Sequence, residues 1–591
     1  MEWFMRKDKV ELLSNPYGEV AYETFGKLGR AIVDKTLVIK DLEDKKTPLY
    51  PVLLRPRRFG KSTFVQMLKC FYDLSYKDRY DEIFSTKKIY AENLASHNTY
   101  HVIYFNFSGI SGKDGDTLID SFIIAVDLGI ADFMERYPDF VFNPTEAEKK
   151  TPSGFIRAFF KAYKQYPAKK SLYIMIDEYD NFAKRVLSED LELFQVITRS
   201  VGFIKDFYSA IKDGASSIVA KTFITGVSSV SLESLTSGFN ISLNVTSEAC
   251  FNEYAGFTEA ELAELIPQLL DLEKIGVSAD EIIARMKPVY DGYCFSQEAE
   301  HTVFNSSLCL YYLDEMSLAG KFLPPEDYLD PASNHDGLKL QQLFDIAEDG
   351  LADEIIKNYL DSKLFVLDKL VENINLNKKS KYNWEQLLSM LYYLGYLTID
   401  REASDSSSLA LKIPNLFMSK LFAQCIADMR LKTNTMFTGS LLDISALMAV
   451  KDDLSTFATS CTEFLSSIFT NQVLTHMSEM ALNLTLYTKL ESMDGIFAEM
   501  QKSLRIVADG EKYADLVITV NEDQDNECVY LIELKYAAKT DATESRIQNL
   551  IKEASEQVLK YRSALEFRNR QIKAYAMVFA GSNCVYCRKQ E

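Results

Sequence analysis

Residues Leu49–Cys70 read LYPVLLRPRRFGKSTFVQMLKC, a pattern of strand, tight loop and helix. Pro51–Leu54 is a short apolar run, as a strand buried on both faces requires. Arg55–Gly60 is the loop, and from Lys61 onward Phe64, Val65, Met67, Leu68 and Phe71 recur at helical spacing. Gly60, Lys61 and Ser62 stand at the junction, where a phosphate-binding loop ends. Glycine lets the backbone close on a phosphate, and the free N–H groups of the new helix point at the anion. A lysine in this place reaches the β and γ phosphates, and the following hydroxyl ligates Mg2+. The full pattern G-x-x-x-x-G-K-[ST] opens on a glycine where this chain has Arg55. A GKS tripeptide alone is a weak signal. Its strand-loop-helix setting and an acidic strand downstream strengthen it.

That strand is Ser171–Asp180, SLYIMIDEYD. Leu172–Ile176 is apolar and delivers Asp177 and Glu178 at its C-terminal end, where ligands bind in open α/β sheets. Asp177 is the candidate Mg2+ carboxylate and Glu178 the candidate general base for the attacking water. The alternative for the pair is an ordinary strand-end turn, and Asp180 reads as the cap of the next helix. Val102–Phe107 and Lys221–Val227 read as further strands. Thr225 ends the latter, either as a sensor of the γ-phosphate or as a β-branched strand residue before a turn.

A second chemistry lies near the C-terminus. Tyr513–Val520 (YADLVITV) and Cys528–Ala537 (CVYLIELKYA) read as strands joined by the acidic turn Asn521–Glu527. Glu533 and Lys535, two apart, share a face, and a hairpin brings Asp515 beside them. Two carboxylates hold Mg2+ or Mn2+, and a lysine there orients the attacking water and stabilises the transition state. Charges on so apolar a strand are costly unless paired or working as a site. The alternative is a Glu–Lys pair on a solvated face. Glu479 and Glu499 are either added ligands or exposed acids. Gln557 and Tyr561, four apart on the next helix, either contact a scissile strand or form a surface pair. Cys584 and Cys587 make a C-x-x-C without two further zinc ligands at matching spacing.

The 591 residues are 47% hydrophobic and 12% aromatic, with length for about three or four domains and ample core. A net charge of −20 argues against a generally basic DNA-coating protein but not against a local basic groove. Asp127 interrupts the most apolar stretch, Ser121–Met134, so no membrane span is expected. Residues 1–11 lack the apolar core of a secretory signal, and nine scattered cysteines fit a reducing cytoplasm. Residues 1–48 read as a leader, in which Val33–Thr36 (VDKT) is an ordinary cap before a helix start. Thr258–Glu261 is a capping box that opens a helical region, and Tyr290–Tyr293 makes a turn. Trp384–Ile399 reads as helix into strand, with a polar tip and a return strand at Leu409–Ile413. This winged-helix-like module carries few basic residues, which favours a coupling role over nucleic-acid contact. Residues 430–475 read as the helical connection to the last domain.

RPRRFGKS (Arg55–Ser62), IDEYD (Ile176–Asp180), FITGVSSVS (Phe223–Ser231), GFTEAEL (Gly256–Leu262), YDGYCF (Tyr290–Phe295) and LGYLTI (Leu394–Ile399) together resemble the bacterial AAA-ATPase-like proteins. VDKT and Ile413–Asn415 (IPN) match the same family's wording, and Arg55 stands where that family has arginine. Cys294 and Asn305–Ser307 depart from its usual arginine and Asn-Pro. ADLVI with IELK (Ala514–Ile518, Ile532–Lys535) resembles the signature of PD-(D/E)XK nucleases, with Ala514 in the proline position.

The resemblance implies a divergent P-loop ATPase fused to a nuclease. The expected architecture is α/β: a P-loop NTPase parallel sheet with a helical lid and a winged-helix-like region, then a small α/β restriction-endonuclease-like domain. The expected boundaries are 1–260, 261–300, 301–455 and 456–591. Arg57, Arg58, Gly60, Lys61, Ser62, Thr63, Asp177 and Thr225 form the expected ATP-binding set. Ser62 and Asp177, and separately Asp515 and Glu533, are the expected metal ligands. Glu178, Asp515, Glu533 and Lys535 are the expected catalytic residues. ATP and Mg2+, with Mn2+ as an alternative at the nuclease site, are the expected cofactors. Nucleic acid, DNA before RNA, is the expected partner. A ring assembly would need an arginine finger, for which Arg57, Arg58 and Arg199 are candidates. The rival expectation is a nucleotide-switched binding or signalling protein whose nuclease-like domain only binds.

Overall fold

The structure, a computed structural model, describes residues 12–181, 202–229, 238–323, 325, 334–348, 350–360, 364–372, 381–405, 407–422, 425, 454–469, 474, 477–491, 496–506, 510–520, 528–564, 567 and 570–590. The chain forms two compact units. One comprises Met1–Pro331 with Val366–Asn415, the other Ala332–Phe365 with Leu416–Glu591. The 301–455 stretch is thus divided between them.

The first unit is built on a five-stranded parallel sheet. Its strands are β1 (Pro51–Leu54), β2 (His101–Asn106), β3 (Leu172–Asp177), β4 (Val219–Gly226) and β5 (Leu243–Asn244), in the order β2-β3-β4-β1-β5. All four residues of β1 and all six of β3 are buried, which accounts for their unbroken apolar runs. β4 lies between β1 and β3. The phosphate loop after β1 and the acids after β3 therefore open on the same, carboxyl-terminal edge, one strand apart.

Helix α1 (Lys61–Tyr72) packs on β2 and β3, α2 (Gly115–Arg136) on β2, and α4 (Gly202–Ala215) on β4 and on α3 (Pro152–Gln165). The break between α2 and α3 includes the charged, proline-containing stretch 143–151. Thr258 opens α5 (Glu259–Leu269) with the expected capping box, its side chain bonded to Glu261 N–H. Asn305 caps α6 (Ser306–Ala319). The predicted helix and return strand appear as α7 (Trp384–Tyr393), β6 (Thr398–Ile399) and β7 (Leu409–Lys412). Gly292 explains the pairing of YDGYCF with IPN: at φ +94°, a Cβ there would stand 2.1 Å from the Pro414 carbonyl oxygen. Asn415 donates to the Asp291 carbonyl.

The second unit holds α8 (Ser455–Ile468), α9 (Glu479–Glu491), strands β8 (Ile496–Ile506), β9 (Gly510–Val520) and β10 (Cys528–Ala537), α10 (Glu544–Tyr561), β11 (Ile572–Ala580) and β12 (Asn583–Lys589). They make a mixed sheet in the order β12-β11-β10-β9-β8. β10 and β11 are parallel, and a parallel pair needs a crossover, which α10 supplies. Leu550, Ala554, Val558 and Tyr561, on one face of α10, are buried, and α10 packs on β10 and β11. The turn 521–527, the stretch 430–453 and Arg199 lie outside the described residues.

Candidate active sites

At the end of β1 the loop turns through two left-handed residues, Arg58 (φ +69°) and Gly60 (φ +86°). Lys61 is buried; its Nζ donates to the Pro56 carbonyl at 3.0 Å and lies 3.8 Å from Glu178 Oε1. Ser62 hydrogen-bonds the Asp177 carboxylate, and the Tyr104 hydroxyl donates to Asp177 Oδ2 at 3.4 Å. Asp177 is fully buried, and its Oδ1 has no hydrogen-bond partner. Burial raises its carboxyl above the usual range. A buried carboxylate oxygen left unpaired is costly, so Ser62 and Asp177 together fit a divalent cation. Glu178 sits at φ +56°, a conformation that costs a non-glycine residue of order 1–3 kcal/mol. It places the second acid at the loop, where Lys61 meets it.

Gly60, Lys61, Ser62, Thr63, Arg58 and Glu178 line a cavity of about 270 Å3. A second, more open cleft of about 510 Å3 takes Arg57, Arg58, Ser62 and Glu178 together with Tyr104 and Gln66. Thr225 lines neither. It is fully buried, and its hydroxyl donates to the Leu53 carbonyl at 2.7 Å, so this geometry turns it into the sheet. Asp180 has bonds of its own across the sheet edge. Its carboxylate accepts from Val227 N–H, Ser228 N–H and the Ser228 hydroxyl, which ties the end of β3 to the loop after β4. The helix that Asp180 is expected to cap lies outside the described residues.

Arg55 is among the largest fully buried side chains of the described residues. It donates to the carbonyls of Leu54, Thr246 and Phe251 and stacks on Tyr254 and Phe295. Where the usual loop opens with glycine, this one is anchored from beneath. The loop is also held from outside. Gly256 N–H donates to the Phe59 carbonyl, while Ser307 N–H and the Ser306 hydroxyl both donate to the Arg58 carbonyl. Gly395 (φ +86°) lies so close that a Cβ would meet Pro56 Cβ at 2.8 Å.

The leader is part of this site. Val20, Tyr22, Phe25, Val33 and Lys35 line the loop's cavity, and Asn15 and Leu13 bond to Leu310 and Gln268 of the helices beyond. VDKT does more than start a helix: Asp34 also accepts from Lys88 N–H, and Lys35 pairs with Glu261 at 2.6 Å.

In the second unit Glu533 is 3% exposed and Lys535 Nζ stands 3.1 Å from its Oε1. The same ammonium lies 3.0 Å from Glu479 Oε1 and 3.8 Å from Asp515 Oδ2. Asp515 Oδ2 accepts from Leu534 N–H. Its side chain thus takes up a strand donor just beyond the Leu516–Ile532 pairing. Glu533 Oε2 has no partner. Burial, with Asp515 close by, pushes the Glu533 carboxyl up to about 8. Burial works against the Lys535 charge, yet Glu533, Asp515 and Glu479 hold that ammonium above the ordinary lysine range. The orphan Glu533 oxygen beside Asp515 fits a divalent cation with oxygen ligands. Among the described residues no set of three or more His, Cys, Asp or Glu is arranged to hold a metal, so each candidate site offers a pair of protein ligands.

Tyr561 is buried, and burial followed by Glu533 and Asp515 pushes its hydroxyl up to about 12. The Oε1 of Gln557, one turn earlier, is buried without a partner. Tyr561 is thus turned inward, while Gln557 as a whole is half-buried. Glu479 acts on Lys535 and also accepts from Tyr536 N–H. The Glu499 side chain lies outside the described residues. Cys584 and Cys587 share a face because a bulge shifts the β11–β12 register between Val578 and Phe579. Burial raises the Cys584 thiol to about 11, an inert setting.

Residues 16–236 match the model of the AAA-ATPase-like family, described as a predicted AAA-ATPase, and residues 507–589 match that of the PD-(D/E)XK nuclease superfamily. The chain is also similar to an uncharacterized protein in the vnfD 5' region of Azotobacter chroococcum mcd 1, at 25% identity over 303 residues. That match spans 48% of this chain and 50% of the relative. No described helix is long and apolar enough to cross a membrane.

Proposed function

We propose that this protein binds and hydrolyses ATP and uses the nucleotide state to govern Mg2+-dependent cleavage of phosphodiester bonds in nucleic acid, DNA before RNA. One observation supports it most: each site pairs a lysine with a buried carboxylate oxygen that has no partner, Asp177 Oδ1 and Glu533 Oε2.

At the first site Lys61 gives up the Pro56 carbonyl to a phosphate, as the N–H groups opening α1 also face it. Glu178 takes the proton of the attacking water. At the second, Lys535 orients water and steadies charge on the transferring phosphoryl group. Ser62 with Asp177, and Asp515 with Glu533, would hold Mg2+, which supplies charge neutralisation at the phosphates. The test is cleavage of labelled single- and double-stranded DNA and RNA with Mg2+ or Mn2+, with and without ATP, by wild type and Glu533→Ala. Cleavage that ATP alters and the variant loses supports the proposal.

The second reading is a nucleotide-switched binding protein. The close approach of Gly395 to Pro56 favours it, since it packs the α7 hairpin module directly on the phosphate loop. ATP hydrolysis with no cleavage in any lane selects this reading.

A further inference from the structure

Lys35 takes no part in the chemistry above, yet it lines the cavity that the phosphate loop opens into. The charged residues of that cavity sort by position. Arg58, Lys61 and Glu178 belong to the loop end, and Glu19 is spent on Arg30. That leaves Lys35 among walls formed by Tyr22, Val33, Phe257 and Leu265.

The backbone around Lys35 is fixed on both sides. Asp34 Oδ1 accepts from the Thr36 N–H and hydroxyl, Asp34 Oδ2 accepts from Lys88 N–H, and the Thr36 hydroxyl accepts from Ile89 N–H. One of the three Nζ hydrogens goes to Glu261 at 2.6 Å. The ammonium is therefore held by a carboxylate partner that takes one of its three donors.

We propose that Lys35 reads the nucleoside end of the bound nucleotide, donating to an acceptor ring nitrogen of the base. This rests on the ATP-binding proposal above. A triphosphate seated on Gly60–Thr63 leaves the base to fill the part of the cavity between the leader and α5. Apart from Lys35 and the buried Tyr22 hydroxyl that part is apolar, and the charge-assisted hydrogen bond from Lys35 is the stronger of the two in setting the orientation of the base.

The test compares ATP with inorganic tripolyphosphate, each with Mg2+, by calorimetric titration of the full chain. Wild type is expected to prefer ATP. Lys35→Met is expected to lose about tenfold or more in ATP affinity and less than about twofold in tripolyphosphate affinity. Glu261→Gln, which keeps the α5 cap, is expected to hold ATP within about threefold. Equal losses for both ligands in Lys35→Met, no loss at all, or the same ATP-specific loss in Glu261→Gln would overturn the proposal, the last because the ion pair would then act only as a brace. A second readout needs no variant: in wild type, ATP shields Lys35 from acylation and tripolyphosphate does not. Equal shielding overturns the proposal. Wild type that binds neither ligand removes the ATP-binding proposal itself, a result distinct from all of these.

Discussion

The Lys535 ammonium lies 3.0 Å from Glu479 Oε1, a carboxylate contributed from α9, 56 residues earlier in the chain. Glu479 also receives Tyr536 N–H, so one side chain grips both the lysine and the backbone beside it. Glu479→Gln keeps the shape but weakens the hold on the lysine. Cleavage rate is expected to fall about tenfold, against complete loss in Glu533→Ala, when both are measured on one labelled substrate under single-turnover conditions.

Wild type with ATP and Mg2+ at about 100 times the dissociation constant is expected to gain nearly 3 kcal/mol of stability. Lys61→Met is expected to gain almost none. Thermal melts of both proteins, with and without ligand, decide it.

Glu533 is expected to make stability depend on pH. Its folded pKa, about 8, lies above the unfolded value of about 4.3. The penalty for its charge is absent below the unfolded value and grows as pH rises toward 8. Glu533→Gln removes this term, so the melting temperature of the variant relative to wild type is expected to climb from pH 5 to pH 8. A constant difference across that range would refute the assignment.

His101 works in the opposite sense. It is 1% exposed, its ring lies tilted against Tyr137 at 4.1 Å between centroids, and its Nδ1 meets the Tyr163 hydroxyl at 2.7 Å. Burial lowers its pKa to about 4. The neutral ring contributes stability that is present above about pH 6.5 and is lost as pH falls toward 4, about 3 kcal/mol at most. His101→Gln is expected to flatten the acid limb of a denaturant-stability profile.

Gly395→Ala is expected to cost more than about 1 kcal/mol, because it places a Cβ 2.8 Å from Pro56 Cβ at a positive φ. Since Pro56 belongs to the phosphate loop, ATP affinity is expected to fall with stability. Chemical denaturation and nucleotide titration of the same variant test both.

What the sequence made legible was local. The Pro51–Leu54 strand, the Gly60-Lys61-Ser62 junction, the acids ending β3 and the Glu533–Lys535 spacing each lie within a few residues, where periodicity and motif chemistry operate. Lys35 was hidden because its significance depends on Glu261, 226 residues away, and on a cavity that no periodicity encodes. Ser306 and Ser307 were visible only as departures from a family's wording, yet they brace the Arg58 carbonyl. Thr225 shows the same limit: its place at a strand end was legible, but the partner of its hydroxyl, the Leu53 carbonyl, lies on the neighbouring strand.

The Asp180 carboxylate makes three hydrogen bonds to Val227 and Ser228, two residues beyond the strained Glu178. The next residue, Ser229, donates to the Val371 carbonyl, on the segment that leads toward α7. Hydrogen bonds thus run without a break from the backbone beside the acid pair, through Asp180 and the 227–229 loop, to a segment outside the sheet.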